Sequence, residues 1–184
     1  MDYKLELVLI PVTDVDRAKK FYLDNMGFVL IVDTPIGEGQ RVVQVVPPGS
    51  ECAIGFGTGV TSAAPGSAQG LHLVVSDIVA ARDELAGRGV AIGPVRHMVS
   101  GQWVEGPHPE RENYQSFADF SDPDGNIWLL QEVDRSMSRQ TLVAIRYSQA
   151  RNCGPPSKPD RPRQAFRNVS CTASSASSNE ASIR

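Results

Sequence analysis

At 184 residues, with 41% hydrophobic and 21% charged side chains, the chain has the make-up of a soluble globular protein, one ordinary domain or two very small ones. No stretch approaches the roughly 20 consecutive apolar residues of a membrane span, and MDYKLELVLIPV lacks the pattern of a signal peptide, so the cytoplasm is the expected compartment. The net charge of −3 conceals an asymmetry, net −9 over 1–135 and net +6 over 136–184. The basic residues of the tail are diluted among Ser, Pro and Asn without interleaved aromatics, which argues against a nucleic-acid partner.

The first apolar run, 4–12, has strand length. Asp14, or Thr13 before it, can cap the helix that follows. Val15, Ala18, Phe21, Tyr22 and Met26 recur there at helical spacing, and Gly27 can supply the left-handed stop. Strand-like segments 28–34, 41–46 and 52–56 come next, punctuated by Ile36-Gly37-Glu38-Gly39 and Pro47-Pro48-Gly49-Ser50. Residues 58–69 are small and turn-rich and read as a linker.

A second unit then repeats the first. Val12-Thr13-Asp14-Val15 returns 63 positions later as Val75-Ser76-Asp77-Ile78, and Gly89 stops the second helix as Gly27 stops the first. Strands are expected at 70–75, 90–95, 115–120 and 127–133, the last two joined by the turn Asp122-Pro123-Asp124-Gly125-Asn126. Between Met98 and Asn113 lies a segment without core pattern, read as a long loop of the kind that often carries function. A repeat of this size predicts one supersecondary unit built twice, with a cavity the two can share. Domain organisation follows: a domain at 1–135, with modules 4–57 and 70–133, and a basic tail at 136–184. Apart from LVAIRY, that tail has too few large apolar residues to offset the entropy of ordering, so disorder is expected.

Chemistry-bearing motifs are few. Cys52, Cys153 and Cys171 show no CxxC spacing, and neither a disulfide framework nor a metal cluster is supported. No GxSxG nucleophile turn occurs, and Gly55-Phe56-Gly57 lacks the helix a phosphate loop needs. Strand alternation places Gly70, His72 and Val74 on one face of the second module, with Ile127, Leu129 and Gln131 beside them. His72 and Gln131 are then polar groups on an otherwise apolar face. They can orient a ligand's carbonyl or hydroxyl, and His72 is a candidate general acid or base. The competing reading is a satisfied core histidine and a glutamine at a wet strand end. Gln44, Tyr114 and Ser116 are further lining candidates. Trp103 and His108 in the long segment can cover a ligand or simply pack down. Glu105, Glu110, Arg111 and Glu112 read as a solvated charge run.

Two β-α-β-β-β units, the V-[ST]-D-[VI] helix starts and the closing DPDGN-I-W-L-L-Q-E together resemble the vicinal oxygen chelate superfamily of glyoxalases, bleomycin-resistance proteins and extradiol dioxygenases. The resemblance covers residues 4–133. It implies an α+β fold in which the modules pair into a curved mixed sheet around a cleft, with the helices outside. Metal-dependent members hold a divalent ion with His, Glu or Gln at one inward position on the first and last strand of each module. Counting from the motifs puts Leu7, Ile54, Gly70 and Leu129 at these positions, and none of them can bind a metal. The expectation is therefore a small-molecule binding protein or non-metal enzyme with an apolar cleft and no cofactor, its ligand fixed by His72 and Gln131. The runner-up is a divalent-metal lyase or dioxygenase that recruits donors elsewhere, for instance His72 with His108. A third reading is an accessory interaction domain without ligand. Members of this superfamily often pair modules across two copies, so a homodimer is also implied.

Overall fold

Asp14 and Asp77, the repeated helix starts, cap their helices in the same way. Asp14 accepts from the N–H groups of Asp16 and Arg17 at 3.0 Å, and Asp77 from those of Val79 and Ala80 at 3.0 and 3.1 Å. Thr13 is not the cap; it bonds to Asp124 instead. The first helix, α1 (Val15–Lys20), widens into a π-type turn over Phe21–Asn25 before Gly27, at φ +69°, ends it. The second, α2 (Ile78–Gly87), is followed by Gly89 at φ +85°.

This computed structural model describes residues 1–134 and 136, within a unit spanning Met1–Ser136. The expectation for the tail after Ser136 lies outside the described residues. The strands are β1 (Leu7–Leu9), β2 (Val29–Gly37), β3 (Gln40–Val46), β4 (Ala53–Thr58), β5 (Leu71–Val75), β6 (Arg96–Val99), β7 (Gln102–Glu105), β8 (Ser116–Ser121) and β9 (Ile127–Glu132). They form a four-stranded sheet in the order β1-β4-β3-β2 and a five-stranded sheet in the order β5-β9-β8-β6-β7. In each, the module's first strand runs parallel to its last and the other pairings are antiparallel. The α+β class and the two modules are as expected; the first is β-α-β-β-β, whereas the second carries one more strand, β7, and among the described residues the two sheets share no strand pairing within one chain.

The second module departs from expectation in one stretch. Residues 90–95 are not a full strand: Ile92 makes a single bridge to Phe120, and regular pairing starts only at Arg96. Gly93-Pro94 is the reason, since proline has no N–H for a ladder. Val90, Ile92 and Val95 are nevertheless buried. The long loop expected between Met98 and Asn113 also begins as a hairpin, with Val99 opposite Gln102 and Met98 opposite Trp103. Ser100 and Gly101, at φ 50° and 81°, form the two-residue turn whose twist suits a hairpin.

One core serves both modules. Ile10, Tyr22, Phe28, Val43, Val45, Ile54 and Phe56 from the first merge with Ile78, Leu85, Phe120, Trp128 and Leu130 from the second. Tyr22 lies at the junction. Its ring centroid is 5.5 Å from Phe56 and 6.0 Å from Trp128, and its hydroxyl donates to Asp122 Oδ2 at 2.8 Å while accepting from Trp128 Nε1 at 3.3 Å. The DPDGN turn is a clamp between modules. Asn126 Nδ2 donates to Pro11 O, and Asp124 Oδ1 accepts from Thr13 N–H and Arg17 Nη2. Asn25 Nδ2 donates to Arg88 O at 2.5 Å, and these residues are separated by 63 positions, the offset of the repeat itself. Equivalent residues can touch only near the axis that relates two copies, so the pseudo-two-fold passes here.

Candidate functional site

Because the covered sides of both sheets meet in the shared core, their open faces lie on its far sides. In the first sheet, Leu7 and Leu9 flank Gly55: a Cβ built on that glycine would stand 3.1 Å from Leu9 and 3.2 Å from Leu7. Gln44 is paired with Gly55 and shares this face. The residues alternating with them, Val43, Val45, Ile54 and Phe56, point into the core.

The open face of the second sheet is richer. His72 pairs with Leu129, and Leu129 with Asp119; Val74 pairs with Gln131, Gln131 with Phe117, and Phe117 with Arg96. Met98 of the same strand face stands opposite Trp103. These side chains alternate with Ala118, Phe120, Trp128 and Leu130, which are buried against the helix side. His72 is exposed and Trp103 is 40% exposed, whereas Gln131 and Phe117 are buried within the layer.

Arg96, Trp103, Phe117 and Asp119 form one cluster. Arg96 Nη2 is 2.8 Å from Asp119 Oδ1, and the guanidinium carbon lies 4.6 Å over the Trp103 ring. The Trp103 and Phe117 rings meet edge to face, with centroids 5.7 Å apart at 85°. Arg96 Nε is enclosed and has no hydrogen-bond partner among the described residues. This arrangement offers a flat aromatic surface, a cation held flush to it and a carboxylate at its edge.

His72, Gln131 and Trp103, all sequence candidates, therefore share one sheet face. Gln44 is on the other sheet. Tyr114 sits in the loop entering β8 at φ 65°, its N–H donating to Glu132 O. Two expectations are corrected. Ser116 is fully buried on the helix side, because it alternates with Phe117. His108 packs edge-on to His97, at 5.8 Å, and its N–H donates to Ser116 Oγ, so strand alternation puts it on the side of the sheet away from His72. Arg96, Phe117 and Asp119 were missed. Phe117 and Asp119 were open to detection by carrying the alternation of β9 back across the DPDGN turn. Arg96 lies beyond the strand expected at 90–95, because regular pairing is delayed past Gly93-Pro94.

The covered side carries its own polar network. Glu132 accepts from Arg111 Nε at 2.9 Å and from Ile78 N–H at 3.2 Å; Arg111 also reaches Asp77 at 3.1 Å. Burial is the largest single influence on the Glu132 carboxyl and raises it. The bonds from Arg111, Ile78 and Ser116 together outweigh burial and hold it below the ordinary range. Asp77 is likewise lowered, first by the Ala80 N–H and then by Arg111. Arg111 is thus no solvated charge; it ties the 106–114 loop to the start of α2.

The four positions counted for a metal carry no donor in this structure. Leu7 and Leu129 occupy open-face positions, and Gly70, at φ 71° just before β5, has no side chain to offer. Ile54 is corrected by one residue: it lies in the core, and its open-face neighbour is Gly55, which is equally without a donor. Among the described residues no three His, Cys, Asp or Glu side chains gather as a metal would require.

The fold agrees with comparisons to known proteins. A solved glyoxalase/bleomycin resistance protein from Streptomyces sp. CB03234 is 34% identical, with a TM-score of 0.55, matching 70% of this chain and all of that one. TnmS3, an antibiotic binding protein from the same organism, is 33% identical with a TM-score of 0.57, over 72% of this chain and 98% of its own. The uncharacterized protein YetH of Bacillus subtilis (strain 168) is 25% identical over 125 residues, 68% of this chain and 94% of its length. The family profile that matches spans residues 4–130. The chain belongs to the Glyoxalase/Bleomycin resistance protein/Dioxygenase superfamily.

Proposed function

We propose that this protein binds a largely apolar small molecule without a metal ion, on the open face of the second sheet, as the similar protein TnmS3 is named for binding an antibiotic. The observation that carries this reading is Trp103, a large aromatic left 40% exposed beside Phe117 and under Arg96, on a sheet face that no helix among the described residues covers. Exposed aromatic surface of this kind is favoured where a flat ligand is to be buried. Apolar residues at the counted metal positions support the metal-independent half. His72 and Gln131 supply the polar fixing groups, and His72 remains the candidate acid or base if turnover occurs.

A second copy completes the cleft in this reading. Gln44 with Leu7 and Leu9 lies on the far side of the core from His72 and Trp103, so one chain cannot close both faces around one ligand. Two copies can, with the first sheet of one facing the second sheet of its partner. Sedimentation equilibrium should return twice the chain mass; a monomer at ligand-binding concentrations would refute this part.

Thermal shift of the full chain against a panel of aromatic antibiotics and metabolites tests the binding itself. A ligand at about 100 times its Kd adds about 2.7 kcal/mol of stability. Trp103→Ala should cut that stabilisation to about half or less. A panel that shifts neither protein favours the interaction-domain reading. Near-stoichiometric Ni, Zn, Fe or Mn in protein purified without chelator would overturn metal independence.

A further inference from the structure

Two of the three histidines in the chain are packed on each other. The rings of His97 on β6 and His108 in the 106–114 loop meet edge to face, with centroids 5.8 Å apart. His97 is buried, and its Nδ1 lies 2.9 Å from Gly106 O, a carbonyl oxygen that can only accept. Nδ1 therefore carries the proton of the neutral ring, and a further proton has to go on Nε2. His108 Nδ1 is enclosed and has no hydrogen-bond partner among the described residues. A charged His108 ring would place an N–H there with no acceptor to receive it. The contact thus suits two neutral rings and opposes two charged ones.

The charged groups around the pair are already committed. On the same side of the sheet, Glu132 of β9 takes bonds from Arg111 and from Ile78 N–H, and Asp77 at the start of α2 also takes Arg111. Glu110 and Glu112 beside Arg111 are exposed to water. Val104 and Ser116, the strand partners of His97, bring no charge, while Arg96, Glu105 and Asp119 belong to the opposite face. The loop is also held under strain. Arg111 and Tyr114 have φ of 50° and 65°, and both are tied to Glu132, one by its guanidinium and the other by its N–H. We propose that the 106–114 loop is a proton-operated latch: uptake of protons by the His97–His108 pair in mild acid frees the loop from β6, and with it the end of β7. Histidine ordinarily gains its charge between pH 8 and pH 5. Glu132 and Asp77 stay ionised over that range, because their partners hold both carboxyls below the ordinary values. The latch is therefore closed on the alkaline side and opens as pH falls.

Amide protection factors of the full chain, corrected for the intrinsic pH dependence of exchange, test the latch at about pH 7.5 and about pH 5.5. The Gly106 N–H, which bonds to Val95 O, and the Tyr114 N–H, which bonds to Glu132 O, should lose at least about tenfold in protection at the lower pH. Those of Trp128 and Leu130 in β9 should keep theirs. His108→Phe retains a ring against His97 but cannot charge, and should hold most of the protection at both values. His72→Gln should respond as the native chain does. Unchanged protection in the native chain overturns the proposal, as does a loss that persists in full in His108→Phe or vanishes in His72→Gln. Should His108→Phe be unprotected already at the higher pH, the imidazole proton resonances of the native chain decide. The loss must follow the titration of His97 or His108; a loss that follows His72, or no histidine, overturns the latch.

Discussion

The guanidinium carbon of Arg96 lies 4.6 Å above the Trp103 ring, so a charged group and an exposed aromatic hold each other in place on the open face of the second sheet. The pairing gives rigidity to β7, an edge strand whose four residues are all exposed. Contacts of this type contribute about 0.5–1 kcal/mol at exposed sites. Trp103→Ala should therefore lower the melting temperature by no more than a few degrees while weakening ligand binding by about tenfold or more. Calorimetric melting and titration of the same variant check both halves.

Tyr22 makes a different prediction, because its hydroxyl is buried between two polar groups. Burial first, and the adjacent Asp122 carboxylate second, push its pKa far above the ordinary 10.0, so it remains a donor at every accessible pH. Tyr22→Phe strips Trp128 Nε1 of its acceptor and Asp122 of one donor. The expected loss is about 2 kcal/mol in urea denaturation, with an unchanged denaturant slope. A loss under about 0.5 kcal/mol would show that the junction does not depend on this bond.

Glu132 links stability to pH. Its folded-state pKa lies below the ordinary 4.5, so its contribution is fully present above that value and is lost as pH falls through the folded one. Glu132→Gln removes the buried partner of the half-exposed Arg111 and should cost about 1.5 kcal/mol at pH 7. The gap between native and variant should shrink steadily as pH drops below about 4.5. Denaturation curves at pH 7 and at about pH 3.5 test the sign; a gap that widens in acid contradicts it.

Two glycines separate steric from conformational cost. Both Gly39 and Gly66 have φ near +70°, 72° and 75°. A Cβ on Gly39 meets nothing within 4 Å, whereas one on Gly66 would stand 2.3 Å from the backbone oxygen of Asp124 in the DPDGN clamp. Gly39→Ala should cost about 1 kcal/mol from the left-handed backbone alone. Gly66→Ala should cost at least about twice that, since the clamp between modules has to shift. Equal melting temperatures for the two variants would show that the clamp yields freely.

Local chemistry made much of this protein readable in the chain. Asp14 and Asp77 announce their helices because a carboxylate before an apolar 3.6-residue pattern satisfies orphan N–H groups wherever it occurs, and strand alternation alone put His72 and Gln131 on one face. What depended on partners far along the chain was not readable. Gly93-Pro94 moved a strand by one segment, and Ile54 proved to be a core residue because the pairing with β3, not its own neighbours, sets its face. The cluster of Arg96, Trp103, Phe117 and Asp119 exists only because β6, β7 and β8 lie side by side. The repeat dictated two modules; only the packing of Tyr22 against Trp128 decided that they join through their covered sides, leaving their open faces apart.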